Sequence, residues 1–140
     1  MRLRQAHAMF EAATNLAACG LGFEAFPFDR EDSGEADDYM TVWTDLTDPG
    51  FRVDARHYCL ELRPSADGRD VAARLTYGMG PVDDRYCELL NEAFPVWNAE
   101  TSDEFRAGAG VDIAARVLAA VREHEAPFEA AFRLTMGGAE

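Results

Sequence analysis

Carboxylates dominate the chemistry available to this chain: 26 Asp and Glu stand against 13 bases, all of them Arg, for a net charge of −13. Two acidic groupings have enough order to carry a function. Glu31, Asp32, Glu35, Asp37 and Asp38 crowd one polar stretch, and Asp84, Glu88 and Glu92 recur every fourth residue. On a helix rising ~1.5 Å per residue the second set forms a stripe with charges about 6 Å apart. Like charges at that spacing oppose the helix by a few tenths of a kcal/mol per pair. Asp84 offsets this at the helix start and Arg85 screens Glu88, so the plain reading is a solvated face. The functional reading is an acidic surface that imitates nucleic-acid phosphates. Such a field repels phosphate backbones and attracts basic proteins over a Debye length of ~8–10 Å.

Other constellations are weaker. His57 and Cys59, two apart on an expected strand, share a side and offer two metal ligands, but no second pair follows as a structural zinc site requires. Cys19, Cys59 and Cys87 are odd in number, unpaired in spacing and without a nucleophile-elbow or protease context, so they read as reduced thiols. Glu24 and Glu61 are the carboxylates placed for partial burial, and Arg74 opposite Glu61 makes an ion pair the better account. Asp29, Glu31, Asp32 and Glu35 lack the Asp-x-Asp-x-Asp-Gly order and the distal Glu of a calcium loop, and no entering helix precedes them. Gly78-Met79-Gly80-Pro81 is too short to cradle a phosphate, and no dinucleotide or Walker fingerprint occurs. The expectation is no catalytic residue, no metal site and no cofactor.

The elements that must position these groups follow from periodicity. Leu3, Ala6, Phe10, Ala13 and Leu16 or Ala17 predict a helix over residues 3–18, closed near Gly20. Gly22 to Asp29 reads as an edge strand because Pro27 cannot donate a ladder bond. A polar loop over 30–38, a strand over 39–46 and a turn at Asp48-Pro49-Gly50 follow. Asp67-Gly68 predicts a two-residue hairpin turn. That register sets Leu62 against Ala73, Leu60 against Leu75 and Tyr58 against Tyr77. On the other surface it sets Glu61 against Arg74 and Cys59 against Thr76. The apolar phase changes earlier in that strand, which calls for a bulge near Arg56-His57. Asp83 as cap, with Tyr86, Leu89, Leu90, Ala93 and Phe94, predicts a second helix ended by Pro95. Residues 95–110 are weakly patterned around Trp97 and Phe105. Val111, Ala114, Leu118 and Val121 predict a helix to Glu125, and Pro127 starts a short continuation.

The expected fold is therefore one α+β domain over residues 1–140: an N-terminal helix, a four-stranded mostly antiparallel meander, then two or three C-terminal helices. A 48% apolar content and the length agree with a single packed core. No apolar run reaches the ~20 residues of a membrane helix, and no secretion signal opens the chain, so the expected compartment is the cytoplasm. Charge is uneven: residues 21–50 carry −8, residues 81–110 carry −5 and residues 51–80 carry +1. The expected function is a non-enzymatic inhibitor. Its Glu31–Asp38 stretch and its Asp84, Glu88, Glu92 stripe occupy the basic surface of a nucleic-acid-processing protein, in the manner of a DNA mimic or an anti-CRISPR-like phage protein. Direct contact with nucleic acid or membrane is not expected. The alternatives are a toxin-neutralising immunity protein and an acidic adaptor of the type III secretion-chaperone kind, the latter working as a homodimer. Those chaperones place two further strands between their later helices, and residues 95–110 carry no strand pattern, so that likeness ends before the last third.

Overall fold

The computed structural model describes residues 2–27, 39–46, 56–79, 86–97 and 108–137. Helix α1 (Leu3–Ala17) leads into five strands, β1 (Glu24–Pro27), β2 (Met40–Leu46), β3 (Arg56–Pro64), β4 (Asp70–Met79) and β5 (Tyr86–Pro95), and helix α2 (Ala109–Gly137) closes the chain. The strands form one antiparallel sheet in sequence order, a meander with β1 and β5 at its edges. Helix α1 lies over β1, β3 and β4, while α2 packs against α1 and β5.

Alternation along the strands decides which face is covered. Met40, Val42, Thr44, Tyr58, Leu60, Leu62, Val71, Ala73, Leu75 and Tyr77 turn to the helices and are buried. Thr41, Trp43, His57, Cys59, Glu61, Ala72, Arg74 and Thr76 turn the other way and are only half-buried. Burying a Leu or Met fully is worth about 1.5–3 kcal/mol, so the helix-side row supplies most of the sheet's anchoring.

The expected β3–β4 register is the observed one, pair for pair from Tyr58–Tyr77 to Leu62–Ala73. The loop is longer than expected. Pairing ends at Pro64–Val71, the Ser65 amide donates to Asp70 O, and Gly68 N donates back to Ser65 O at φ +78°. Asp67 Oδ1 holds this loop by accepting from the Ser65 hydroxyl (2.6 Å) and the Arg69 amide (3.0 Å). Those two bonds, the hydroxyl first, hold the Asp67 carboxyl below its ordinary range. A depressed folded value means this group's stabilisation is complete above the ordinary aspartate range and lost as pH falls through the folded value. Asp67→Asn keeps the acceptor and removes the titration. Its thermal stability should therefore fall less than that of the wild type between pH 7 and pH 2.

Three expectations are corrected. The segment expected to form the second helix, residues 83–94, contains β5 instead, and this fifth strand replaces one of the C-terminal helices. Leu75 pairs with Leu90 and Thr76 with Glu88, so Leu89 is the extra residue of a bulge. Such a residue lets two consecutive side chains approach one face. Leu89 and Leu90 both reach the core, and their adjacency produced the helix-like spacing. The remaining C-terminal helix is a single α2 that runs through Pro127. Finally, α1 is rotated from expectation: Gln5, Ala8, Met9, Ala12, Ala13 and Leu16 are buried, whereas Leu3 and Phe10 are exposed. The polar Gln5 disguised the true face. In α2 the deepest residues are Ile113 and Val117, with Val111 exposed. The expected bulge near Arg56-His57 rests partly on residues 51–55, outside those described, as does Phe105.

Candidate functional site

Glu88 and Glu92 are the expected stripe residues that the structure describes; Asp84 and the set Glu31, Asp32, Glu35, Asp37 and Asp38 lie outside the described residues. A strand separates what a helix would have aligned. Glu92 pairs with Ala73 on the helix side, and Glu88 pairs with Thr76 on the open side, because the bulge at Leu89 changes the phase between them. Each carboxylate meets a guanidinium. Arg74 Nε donates to Glu88 Oε2 at 2.8 Å, and Arg116 Nε, from α2, donates to Glu92 Oε1 at 3.1 Å. The Arg74 bond holds the Glu88 carboxyl below the usual range against the opposing effect of desolvation. Both pairs are open to solvent, where an ion pair contributes at most about 1 kcal/mol.

The other candidates are placed as follows. Glu61 stands opposite Arg74 in the register, and its Oε2 is also 3.6 Å from Arg63 Nε. Glu24 is exposed on β1. His57 and Cys59 share the open face, with the His57 ring 5.5 Å from Trp43, while Cys87 is exposed and pairs with Tyr77 on the helix side. Among the described residues no group of three or more His, Cys, Asp and Glu is arranged to hold a metal ion. Among them, too, no helix is long and apolar enough to cross a membrane.

Sequence reasoning missed a half-buried polar cluster. Tyr58, fully buried on β3, donates its hydroxyl proton to Glu125 Oε1 (2.5 Å) and lies 2.8 Å from His124 Nδ1. With its one proton committed to the carboxylate, the phenol oxygen accepts, so Nδ1 carries the hydrogen. Tyr77 stacks on the same imidazole at 4.3 Å. Two neighbouring residues of α2 thus clasp one hydroxyl at the margin of the core, fixing the helix's rotation over the sheet. A signal existed in the Tyr58–Tyr77 pair, but nothing local linked it to residues 66 and 67 positions further on.

Charge is unevenly divided along the chain. The 100 described residues hold nine Arg and twelve Asp or Glu, a net of −3, and the other 40 hold four Arg and fourteen acids, a net of −10. Residues 28–38, between β1 and β2, carry −5 of that. Pro27, Met40, Leu62, Ala73 and Glu92 share one row of the sheet. The last residues of β1 and β5, Pro27 and Pro95, therefore lie toward the same end of the sheet. That end also bears Arg4 and Arg69, which both stack on Trp97 (5.7 and 4.9 Å), and Arg63, which lies over Tyr39 (4.5 Å). Protein-family models, curated sequences and solved structures all yield no match to this chain, which leaves its own geometry and charge to speak for its function.

Proposed function

We propose that this chain is a non-enzymatic acidic binding protein that inhibits a nucleic-acid-processing protein by covering its basic surface. Its charge is presented by the segments between framework elements rather than by a helical stripe. The observation that supports this reading is the uneven charge just described: the 100 described residues sum to −3, and −9 of the −13 falls in the 36 residues of 28–38, 47–55, 80–85 and 98–107. An acidic excess of this size sets up a field that attracts a basic surface and steers its approach. Glu88 and Glu92, each already facing an arginine, contribute less under this reading than Glu31, Asp32, Glu35, Asp37 and Asp38.

The test is capture of partners from host lysate at low and at high salt, with two variants beside the wild type. Neutralising Glu31, Asp32, Glu35, Asp37 and Asp38 together to Gln or Asn should weaken capture by on the order of tenfold at low salt. Glu88→Gln with Glu92→Gln should change it by less than threefold. Capture that ignores both salt and the five-residue variant would overturn the reading.

A second reading, an adaptor holding a client through apolar surface, draws on a different observation. Leu3 (76% exposed), Phe10 (46%) and Val111 (47%) are large apolar side chains left open on α1 and at the start of α2. That reading requires a dimer, so a single monomeric species in light scattering would remove it.

A further inference from the structure

We infer that Arg2, Arg4 and Arg69 form a binding site for a compact phosphoryl dianion, inorganic phosphate or a phosphate monoester, at the start of α1 and beside Trp97. The site is separate from the acidic segments and does not rest on the proposed function.

The order of charges along the helices is the first observation. A helix favours acids in its first turn, because its unpaired amides leave partial positive charge there. Helix α2 follows that rule, with Asp112 in its first turn and Glu11 Oε1 accepting the Gly110 and Val111 amides. Helix α1 does the reverse. Its N-cap is Arg2, Arg4 follows two residues on, and its first turn holds no acid. In a chain with 26 acids against 13 bases, this end gathers positive charge that its own first turn does not offset. A bound anion would offset it, and helix N-termini take phosphate for the same reason.

The β3–β4 loop then draws the arginines together. Arg4 Nε donates to Gly68 O at 3.1 Å. Arg2 crosses the same glycine: a Cβ at position 68 would lie 2.5 Å from both Arg2 Cδ and Arg2 Nε. Arg69 follows directly, its guanidinium 4.9 Å from the centre of the Trp97 ring, with that of Arg4 at 5.7 Å. Stacking on an indole occupies the face of a guanidinium and leaves its N–H edge for hydrogen bonds. Gly68 is buried, Arg4 and Trp97 are half-buried, and Arg2 and Arg69 are exposed.

Pairing sets these three apart from other arginines. Arg63, Arg74 and Arg116 each reach a glutamate, at 3.6, 2.8 and 3.1 Å. Arg2, Arg4 and Arg69 form no ion pair with a carboxylate among the described residues. Asp67, in the same loop, directs Oδ1 to the Ser65 hydroxyl and the Arg69 amide rather than to a guanidinium. Charge then selects the ligand. Three guanidinium groups at a helix start suit a dianion better than a single carboxylate, and their forks fit phosphoryl oxygens two at a time. A long phosphate backbone also meets the chain's net charge of −13 and is repelled.

Trp97 supplies the reading. Trp43→Phe leaves it as the single tryptophan, and its fluorescence is titrated with sodium phosphate, glycerol 2-phosphate and sodium acetate at pH 8 and constant ionic strength. Both phosphoryl compounds should give saturable changes, half-complete at about 1 mM, the affinity that two charge-assisted hydrogen bonds supply. Acetate should bind at least tenfold more weakly. Arg2→Gln with Arg69→Gln should raise the phosphate half-saturation at least tenfold. Arg74→Gln with Arg116→Gln, which removes the same charge, should shift it less than twofold. Arg4 is kept because it also holds the loop. In the wild type, phosphate at about twenty times its half-saturation should raise the melting temperature by about 5 °C. Saturation by one phosphoryl compound alone keeps the site and identifies its ligand as the free ion or the ester. Identical responses to phosphate and acetate, or one half-saturation shared by both arginine variants, overturn the site. An eight-nucleotide single strand that displaces phosphate at lower concentration than glycerol 2-phosphate does overturns it as well, in favour of a nucleic-acid contact.

Discussion

Gly110→Ala should destabilise the fold by about 3–4 kcal/mol, enough to lower the melting temperature by roughly 10 °C. Helix propensity alone argues the other way, since Ala in a helix interior is favoured over Gly by up to about 1 kcal/mol. Packing decides the sign. A Cβ at position 110 would lie 2.5 Å from Glu11 Cβ, 2.6 Å from Ala8 O and 2.8 Å from Ala12 N. Two of these obstacles are backbone atoms of α1, so no rotamer change relieves them and the helices must separate. Separation also breaks a cap. Glu11 Oε1 accepts the amides of Gly110 (2.9 Å) and Val111 (3.2 Å), serving the first turn of α2 from another helix, because Gly108 has no side chain to do so. A carboxylate there also favours the helix dipole, and caps of this kind are worth about 0.5–2 kcal/mol. The measurement is thermal and urea unfolding by circular dichroism. Glu11→Ala should reproduce only the cap's share, and Ala8→Gly should not rescue Gly110→Ala, since the obstacle is a carbonyl. A Gly110→Ala protein as stable as the wild type would mean that α1 and α2 do not approach this closely.

What the sequence made legible was whatever depended on near neighbours. The β3–β4 register followed from alternating residues around Asp67-Gly68, where a one-residue slip exposes every Leu. The edge placement of β1 followed from Pro27. β5 was not legible: Glu88, Leu89, Leu90, Asn91, Glu92 and Ala93 are better helix than strand formers, and a bulge supplied the two adjacent leucines of a helical stripe. Only pairing with β4, a tertiary contact, overrides that preference. The consequence reached the candidate site, since the same error that drew a helix also drew an acidic stripe, and the strand divides its two described members between opposite faces. The Tyr58–His124–Glu125 cluster was invisible for the same reason, being assembled across most of the sheet's sequence. The charge division between framework and intervening segments needed no fold to count, but its meaning depended on knowing where the elements end.

Gln5 gave no signal in the sequence, yet replacing it should be nearly as damaging as replacing Gly110: Gln5→Ala should lose about 2–4 kcal/mol. The side chain is fully buried in the first turn of α1, on the face that packs against the sheet. Its Nε2 donates to Ser65 O and Asp70 O, both at 2.9 Å, with Ser65 Oγ at 3.3 Å, and its Oε1 accepts the Arg2 amide at 2.8 Å. One amide thus ties the start of α1 to the β3–β4 loop, together with the Arg4 Nε bond to Gly68 O. Arg2 has no acceptor atom, so the bond from Gln5 is the only half of a capping box that can form here. Alanine leaves two carbonyls and one amide wanting partners beside a cavity. Gln5→Glu is the sharper test because shape is conserved and only donors are lost. Its ionised carboxylate would face two carbonyl oxygens at 2.9 Å in a buried site, so its folded pKa must rise above the unfolded value. A raised acid destabilises the fold above its folded pKa, and stability returns as pH falls toward the unfolded one, where the protonated group can donate again. The deficit of Gln5→Glu relative to wild type should therefore be largest near pH 7 and shrink toward pH 4, as read from parallel urea titrations. A deficit that is constant across that range would show that position 5 meets water rather than the two carbonyls.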